Sequence, residues 1–275
     1  MHKIILLIAF LFCISCKPAA QQKNSNADAI AICSWNIANM GKSKSDVEIE
    51  VMAETLKDFD VVAIQEVVAG PGGAQAIGRL GEALNRKGGK WDYAISDPTT
   101  SVMNGVERYA FMWKTAKINK KGRAWLDKTY AAEIDREPYM LTFERGGKEF
   151  TLVSFHAVPK GKNPESEIRY LKNLPTIYKG LNLIFCGDFN TPQSHNVFNP
   201  LKELGYKPAL TNQKTTLRQN CTSGDCLASE YDNFYRQTDK LKTISAGIVP
   251  FYKEFSNTSE ARKISDHLPV YIQVR

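Results

Sequence analysis

Histidine is scarce in this chain: four in 275 residues, one of them His2 in the opening apolar stretch. Cysteine is hardly commoner, with six, and the clustering of Cys and His that builds a structural zinc site is missing. The Gly-rich stretch "AGPGGAQ" lacks the GxxxxGK[ST] pattern of a nucleotide phosphate loop, which leaves it a plain connection. The apolar run Ile4–Ile14 falls short of the roughly 20 residues a spanning helix needs. There is no internal repeat, and no long structureless linker interrupts the chain after residue 30. These absences exclude a zinc-finger protein, a P-loop nucleotidase and a solenoid.

What is present begins with a leader. Lys3, the apolar run and Ser15 before Cys16 form a secretory signal over residues 1–16. A small residue followed by Cys resembles a bacterial lipoprotein signal, with Cys16 as the acylated N-terminus, although Cys13 stands where a Leu is usual. Ordinary cleavage nearby, giving a secreted product, is the alternative. The expected location is therefore membrane-anchored, periplasmic or cell-surface, otherwise secreted. Residues 17–29, "KPAAQQKNSNADA", read as a polar tether, and residues 30–275 as one domain with apolar composition sufficient for a large core.

The chain carries 36 Lys and Arg against 29 Asp and Glu, a net charge of +7, and the leader holds one of those lysines. A moderate basic excess suits a polyanionic partner and equally suits solubility. In "NCTSGDC", Cys221 and Cys226 flank a Ser-Gly turn; export favours a disulfide there, with a zinc pair as the competing reading. Cys33 and Cys186 sit in apolar strands as core thiols, a bridge between neighbouring strands being the alternative.

Strands and helices alternate. "AIAICSWNIAN" reads as a strand, "SDVEIEVMAETLKDF" as a helix capped by Ser45, and "DVVAIQEV" as a second buried strand. An amphipathic helix runs through Leu84. "WDYAISD", "RYAFMWK", "YMLTFER" and "FTLVSFHAV" follow as strands, with a hairpin at Gly146-Gly147. A helix is expected from Pro164 to Tyr178, then the strand "LNLIFCGDFN", a less regular segment, and the closing strand in "SDHLPVYIQVR". The mixture favours mixed sheets packed together with helices outside.

The informative polar residues gather at strand ends. Asn36, Glu66, Glu107, His156, Asp188 with Asn190, and Asp266-His267 each adjoin an apolar strand, and Asp232 opens "YDNFYR". Alternation along a strand sends Asp188 and Asn190 to the same side. Strand ends converging on one rim are where sites form. Two of the three histidines outside the leader belong to this set, and each has an acidic candidate to orient it. His195 lies in a polar loop as solvated surface. Trp35, Phe155, Phe189 and Leu268 are expected in the core.

"WNIA", "IQE", "ERYAF", "DREPY", "SFHAVP", "GDFN", "EYDNF" and "SDHLPV" occur in the order found in the endonuclease/exonuclease/phosphatase superfamily. The chain resembles its deoxyribonuclease I branch over residues 30–275. The resemblance implies an α/β (α+β) four-layer sandwich, two mixed β-sheets face to face flanked by helices, with the site at one edge. It implies a monomeric hydrolase of phosphodiester bonds that needs Mg²⁺, with Mn²⁺ or Ca²⁺ as other hard ions. Glu66, Asp266 and Asn36 become the metal residues; hard oxygens without a thiolate cluster suit such ions.

By the same resemblance, His267 with Asp232 activates water and His156 with Glu107 faces the leaving group, roles that could be exchanged. Asp188 and Asn190 orient water, metal or phosphate. Arg136, Asn36 and Asn190 bind phosphate, the planar guanidinium suiting paired oxygens. One departure stands out: Val68 and Gly105 occupy the places where pancreatic-type members carry an Arg and a Tyr for the DNA minor groove. The expected substrate is nucleic acid, DNA first and RNA second, cut to leave 5′-phosphate ends. A small phosphate ester or phospholipid head group is the alternative, and a catalytically idle binding module a third reading.

Overall fold

The computed structural model describes residues 29–101, 105–222 and 224–275. The leader, with Cys16 and nearly all of the expected tether, lies outside them. Alternation along the strands builds the molecule. In β1 (Ile30–Met40), Cys33, Trp35 and Ile37 point to one face while Ile30 and Ile32 point to the other. β2 (Val61–Val68) pairs parallel to β1 and divides likewise: Val62 and Ile64 one way, Val61 and Ala63 the other. With β3 (Trp91–Ile95), β4 (Glu107–Lys114), β13 (Thr243–Ile248) and β14 (Val270–Val274) they make a mixed sheet ordered β13-β14-β1-β2-β4-β3.

The second sheet is ordered β5-β6-β7-β8-β12-β9, from β5 (Asn119–Leu126), β6 (Tyr139–Arg145), β7 (Lys148–His156), β8 (Leu183–Asp188), β9 (Tyr206–Pro208) and β12 (Asp232–Gln237). Its inward residues, among them Phe150, Leu152, Ile184, Cys186 and Phe234, meet the inward face of the first sheet. Its outward residues Val153, Phe155, Phe185 and Tyr235 pack under α3 (Glu165–Ile168), α4 (Leu174–Ile177) and α5 (Asn199–Glu203). On the far side, α1 (Asp46–Leu56), α2 (Pro71–Arg86) and α6 (Thr258–Ile264) cover the first sheet. This is the expected four-layer sandwich.

Local chemistry sets the ends. Ser45 and Glu48 form a reciprocal capping box at the start of α1, and Pro71 opens α2 where its missing N–H is harmless. The expected helix over Pro164–Tyr178 is instead α3, a 3₁₀ turn and α4. Pro175 is the physical reason: it has no N–H to return to Leu171, so a regular helix cannot run through it. The segment after "GDFN" is also more ordered than expected, holding β9, β12, β13 and a small hairpin of β10 (Leu217–Thr222) and β11 (Asp225–Leu227). The Cys221–Cys226 disulfide crosses that hairpin, and Cys33 and Cys186 are free and buried.

Packing leaves Gly187, between the site strands, with no tolerance. Gly187 has φ +131°, and a Cβ there would lie 2.0 Å from the Phe155 carbonyl oxygen on β7. Only glycine lets β8 approach β7 so closely while delivering Asp188 to its end. Gly187→Ala should lower the unfolding free energy by more than about 2 kcal/mol through backbone strain and overpacking. A urea midpoint within error of the parent, at unchanged slope, would refute this.

Candidate active site

The inward face changes character along its length: hydrophobic through the middle, polar at one end. His156, Asp188 and Asp232 are register partners across β7, β8 and β12, so three adjacent strands present them as one row. Asn36 and Glu66 arrive from β1 and β2 of the opposite sheet, and Glu107 from the start of β4. Glu66, Asn39 and Asn190 have φ of 59°, 53° and 48°, left-handed backbone uncommon outside glycine. A register shift in the β2 ladder around Glu66 re-aims its side chain. Such strain concentrated at one edge is characteristic of a built site.

Asp188 Oδ2 is where the parts meet. His156 Nε2 lies 3.5 Å from it and His267 Nε2 3.6 Å. Asn36 Nδ2 donates to the same oxygen at 3.2 Å, and Asn190 Nδ2 at 3.4 Å. Behind each imidazole stands a second carboxylate. His156 Nδ1 is 3.0 Å from both oxygens of Glu107, and His267 Nδ1 is 2.9 Å from Asp232 Oδ2. The two dyads therefore face one another across a shared carboxylate.

Arg136 was expected on the phosphate; the structure gives its guanidinium other work. Nη1 donates to Glu107 at 3.1 Å, Nε to the His156 carbonyl at 3.1 Å, and Nη2 to the Ala157 carbonyl. It is buried behind the His156–Glu107 dyad while still lining the cleft. Asp266 is half turned away, its side chain 40% exposed and 3.2 Å from Arg262 Nη2. His195 is outside the site and pairs with Glu165 at 3.6 Å. Trp35, Phe155, Phe189 and Leu268 are core residues.

Glu66, Glu107, Arg136, His156, Asp188, Asn190 and His267 line a cleft of about 470 Å³, whose other wall is Val67, Val68, Ala69, Gly105 and Val106. A second cleft, about 430 Å³, lies beside the Cys221–Cys226 disulfide and carries none of the titratable groups of the first. The chemistry places the site in the first.

Burial and charge act against each other throughout. For His267, burial pulls the imidazolium down, but Asp232 and Asp188 together more than offset it and raise the pKa to about 10. Burial likewise opposes protonation of His156, yet Glu107 leaves it raised. Burial pushes Asp188 up, and the two imidazoles with the Asn190 and Asn36 donors bring it below its usual value. Asp232 moves the other way, raised by burial and by Asp188 despite His267. Both members of the His267–Asp232 pair thus move up; the proton they share belongs on His267, which has two carboxylates beside it.

A divalent cation can be tested against the residues present. Glu66 Oε1 takes Asn36 Nδ2 at 3.0 Å and Oε2 takes the Asn39 N–H at 3.1 Å, while its side chain stays 29% exposed toward the cleft. Asn36 Oδ1 is buried without a hydrogen-bond partner, a costly state that a hard cation would relieve. Glu66 and Asn36 therefore fit such an ion, with Asp266 at the rim. Asp188, Asp232 and His267 form a second convergence, their ligand atoms all within 4.8 Å of one another, with protonated His267 already in contact with both carboxylates.

Several positioning residues were not singled out from the sequence. Thr215 Oγ1 donates to Asp232 Oδ2 at 2.6 Å, Ser265 Oγ donates to the Asn36 carbonyl at 2.6 Å and accepts the His267 N–H at 2.9 Å, and Trp35 Nε1 donates to the His267 carbonyl at 2.8 Å. The Tyr109 hydroxyl accepts the His156 N–H at 3.2 Å. The buried Lys44 ammonium donates to the Lys263 and Ile264 carbonyls at 2.9 and 2.7 Å, pinning the end of α6 just before Asp266. Only the polarity of Thr215 and Ser265 beside apolar runs hints at this in the sequence.

Comparison with known proteins gives a consistent picture. The profile of the Endonuclease/Exonuclease/phosphatase family matches residues 33–267. A deoxyribonuclease of Thioalkalivibrio sp. (strain K90mix) is 30% identical over 267 residues, covering 88% of this chain and 70% of its own. Among solved structures, an endonuclease/exonuclease/phosphatase family protein from Bacteroides thetaiotaomicron superposes with TM-score 0.65 at 17% identity, over 90% of this chain and 97% of that one. The mannosyl-6-phosphatase Bt3783 of the same organism gives 0.64 at 18%, over 90% and 99%. D. rerio TDP2 complexed with single strand DNA product gives 0.64 at 15%, over 90% and 99%. At these identities the solved structures speak for the fold.

The raised His267 has a consequence for stability. A group whose folded pKa, about 10, exceeds its ordinary 6.5 stabilises fully below 6.5 and loses that contribution as pH rises through the folded value. In chelator, urea stability should fall steadily from pH 6.5 to 10, and His267→Gln should flatten that fall. Equal pH slopes for parent and variant would contradict the assigned proton.

Proposed function

The chain belongs to the endonuclease/exonuclease/phosphatase family, and from that premise we propose an exported, divalent-metal-dependent endonuclease that hydrolyses DNA to 5′-phosphate ends. The observation that carries this reading is Asp188 Oδ2 set between the Nε2 atoms of two carboxylate-backed histidines, beside the Asn36–Glu66 pair. Hydrolysis of a diester needs a proton removed from water, a proton given to the leaving oxygen, and cover for the charge that develops on phosphorus. Two imidazoles flanking one anionic oxygen offer the first two. The deoxyribonuclease relative supports DNA as the substrate.

In the ion-free site His267 holds its proton, so its resting form suits phosphate binding and acid catalysis. Water activation by the His267–Asp232 dyad requires that proton to be released, and so depends on the balance of charge around Asp188. His156, held by Glu107 and stiffened by Arg136, faces the leaving oxygen, with the two histidine roles exchangeable. Asn190 and Asp188 orient the water and the phosphate, and Arg136 adds its charge from behind Glu107. Glu66 and Asn36, with Asp266 at the rim, would hold Mg²⁺, or Mn²⁺ or Ca²⁺; when bound, the ion polarises a phosphoryl oxygen and offsets its developing charge.

The leader reading places the protein outside the cytoplasm, anchored through acylated Cys16 or else secreted, and a monomer suffices for the site as described. No helix among the described residues is long and apolar enough to cross a membrane. One observation favours a second reading, a phosphatase or phosphodiesterase for small esters: Val68, 38% exposed, and Gly105 line the cleft where groove-binding side chains stand in pancreatic-type enzymes.

Supercoiled plasmid incubated with the leaderless protein and Mg²⁺ should be nicked, with no nicking in EDTA. His156→Ala should slow nicking by about 10²–10⁴-fold, the usual worth of an acid–base group. Inactivity on plasmid across divalent ions, with turnover of small phosphate esters, would transfer the assignment to the second reading.

A further inference from the structure

Strand register fixes what lies at the end of the sandwich opposite the site. β1 runs from that pole toward the site, and Ile30 to Asn36 at about 3.3 Å per residue spans roughly 20 Å. The pole residues follow from pairing: Ile30 opposite Val274, Lys242 bonded to Arg275, Arg145 opposite Lys148, Arg236 opposite Lys207, and Trp91 opposite Lys114. Arg145 Nη1 donates to the Ala29 carbonyl at 2.8 Å, joining the two sheets there. Three strands end at this pole in Lys or Arg (Lys114, Arg145 and Lys148), and Lys207, Arg236, Lys242 and Arg275 lie within one residue of the ends of others, whereas the opposite rim gathers Glu66, Glu107, Asp188, Asp232 and Asp266.

The positive charge at the pole is available. Lys148, Lys207 and Lys242 are exposed, and among the described residues none of them pairs with a carboxylate. Arg236 is buried on the inward side of β12, and its Nε and Nη1 have no hydrogen-bond partner. The main acids nearby are engaged: Asp60 by Lys117 and Arg145, Glu149 by Lys121. Exposed Asp58, Asp92 and Asp239 and the half-buried Glu144 offset part of the rest.

We propose that this basic pole is a docking surface for an anionic phospholipid bilayer, holding the catalytic cleft away from the membrane. Ala29, the first described residue, lies on this pole, the side of the fold nearest in sequence to Cys16. The biological setting rests on the proposed acylation; the charge surface does not. Nucleic acid is the other polyanion to weigh, but a duplex held here lies about 20 Å from Asp188 along the strands, on the face away from the cleft. Clustered Lys and Arg near an anionic leaflet each add attraction that falls off within a Debye length.

The test uses the chain from residue 16 with Cys16→Ser, so that no acyl group contributes. Co-sedimentation is measured with vesicles of phosphatidylcholine alone and of phosphatidylcholine mixed with phosphatidylglycerol. Binding to the anionic vesicles should be at least about tenfold tighter and should collapse near 0.5 M salt. The triple variant K148E/K207E/K242E should lose it, while K128E/K172E retains it; plasmid nicking and thermal unfolding of the triple variant should match the parent. Equal binding to both vesicle types, or no binding at low salt, would overturn the proposal. So would a triple variant that still binds vesicles, or one that loses plasmid cleavage, which would make the pole a nucleic-acid surface. Acylation is read separately, from the mass of the N-terminal peptide of the exported protein.

Discussion

A carboxylate sealed into a protein interior must be met by donors or positive charge, and Asp188 imposes that demand on the whole rim. Its side chain is 2% exposed. The groups that satisfy it come from β7, β1, the turn after β8 and the segment after α6, so both sheets and two loops must arrive together. Removing one partner would leave a buried charge partly uncompensated, a state far costlier than the net worth of any single bond. Assembly of the rim is therefore cooperative with packing of the two sheets.

The charge balance at the rim follows from the same constraint. Glu107, Asp188 and Asp232 are matched by His156, His267 and Arg136 at contact distance. Glu66 stands outside this set on the open side, beside the orphaned Asn36 side-chain oxygen, and Asp266 pairs with Arg262 at the rim. A partly exposed carboxylate beside an unpartnered amide oxygen is a setting that favours an added cation. Protonated histidines and a cation draw on the same negative charge, so proton release from His267 and charge balance at Glu66 are coupled.

Much of this was legible in the sequence because the periodicity of a strand is so simple. Asp188 and Asn190 at the end of an apolar run, and His156 and Glu107 beside theirs, announce residues presented by a core. The four layers and the central strands could be read for the same reason. Less visible were β5, whose "NKKGRAWL" is an exposed, charge-rich edge without clear alternation, and the short β9 and β13. The break of the Pro164–Tyr178 segment was hidden because helical spacing of apolar residues persists through 3₁₀ turns. Roles set by distance alone, such as Thr215 under Asp232 or Arg136 behind Glu107, have no signature in one dimension.

Net charge was the least faithful guide. An excess of +7 invites a picture of a basic face drawing in a polyanion, yet strand register puts Lys148, Lys207 and Lys242 at the pole away from the cleft. Substrate reaching the rim meets a cluster of carboxylates, which a diffuse basic field elsewhere on the molecule does not neutralise. Positive charge at short range comes from His267 and Arg136, and in the proposed reading from an ion at Glu66. Short-range charge in a partly dry cleft is worth more per contact than a diffuse field in water. A site so arranged holds phosphate only where the catalytic groups are, and binding and chemistry become properties of one set of residues.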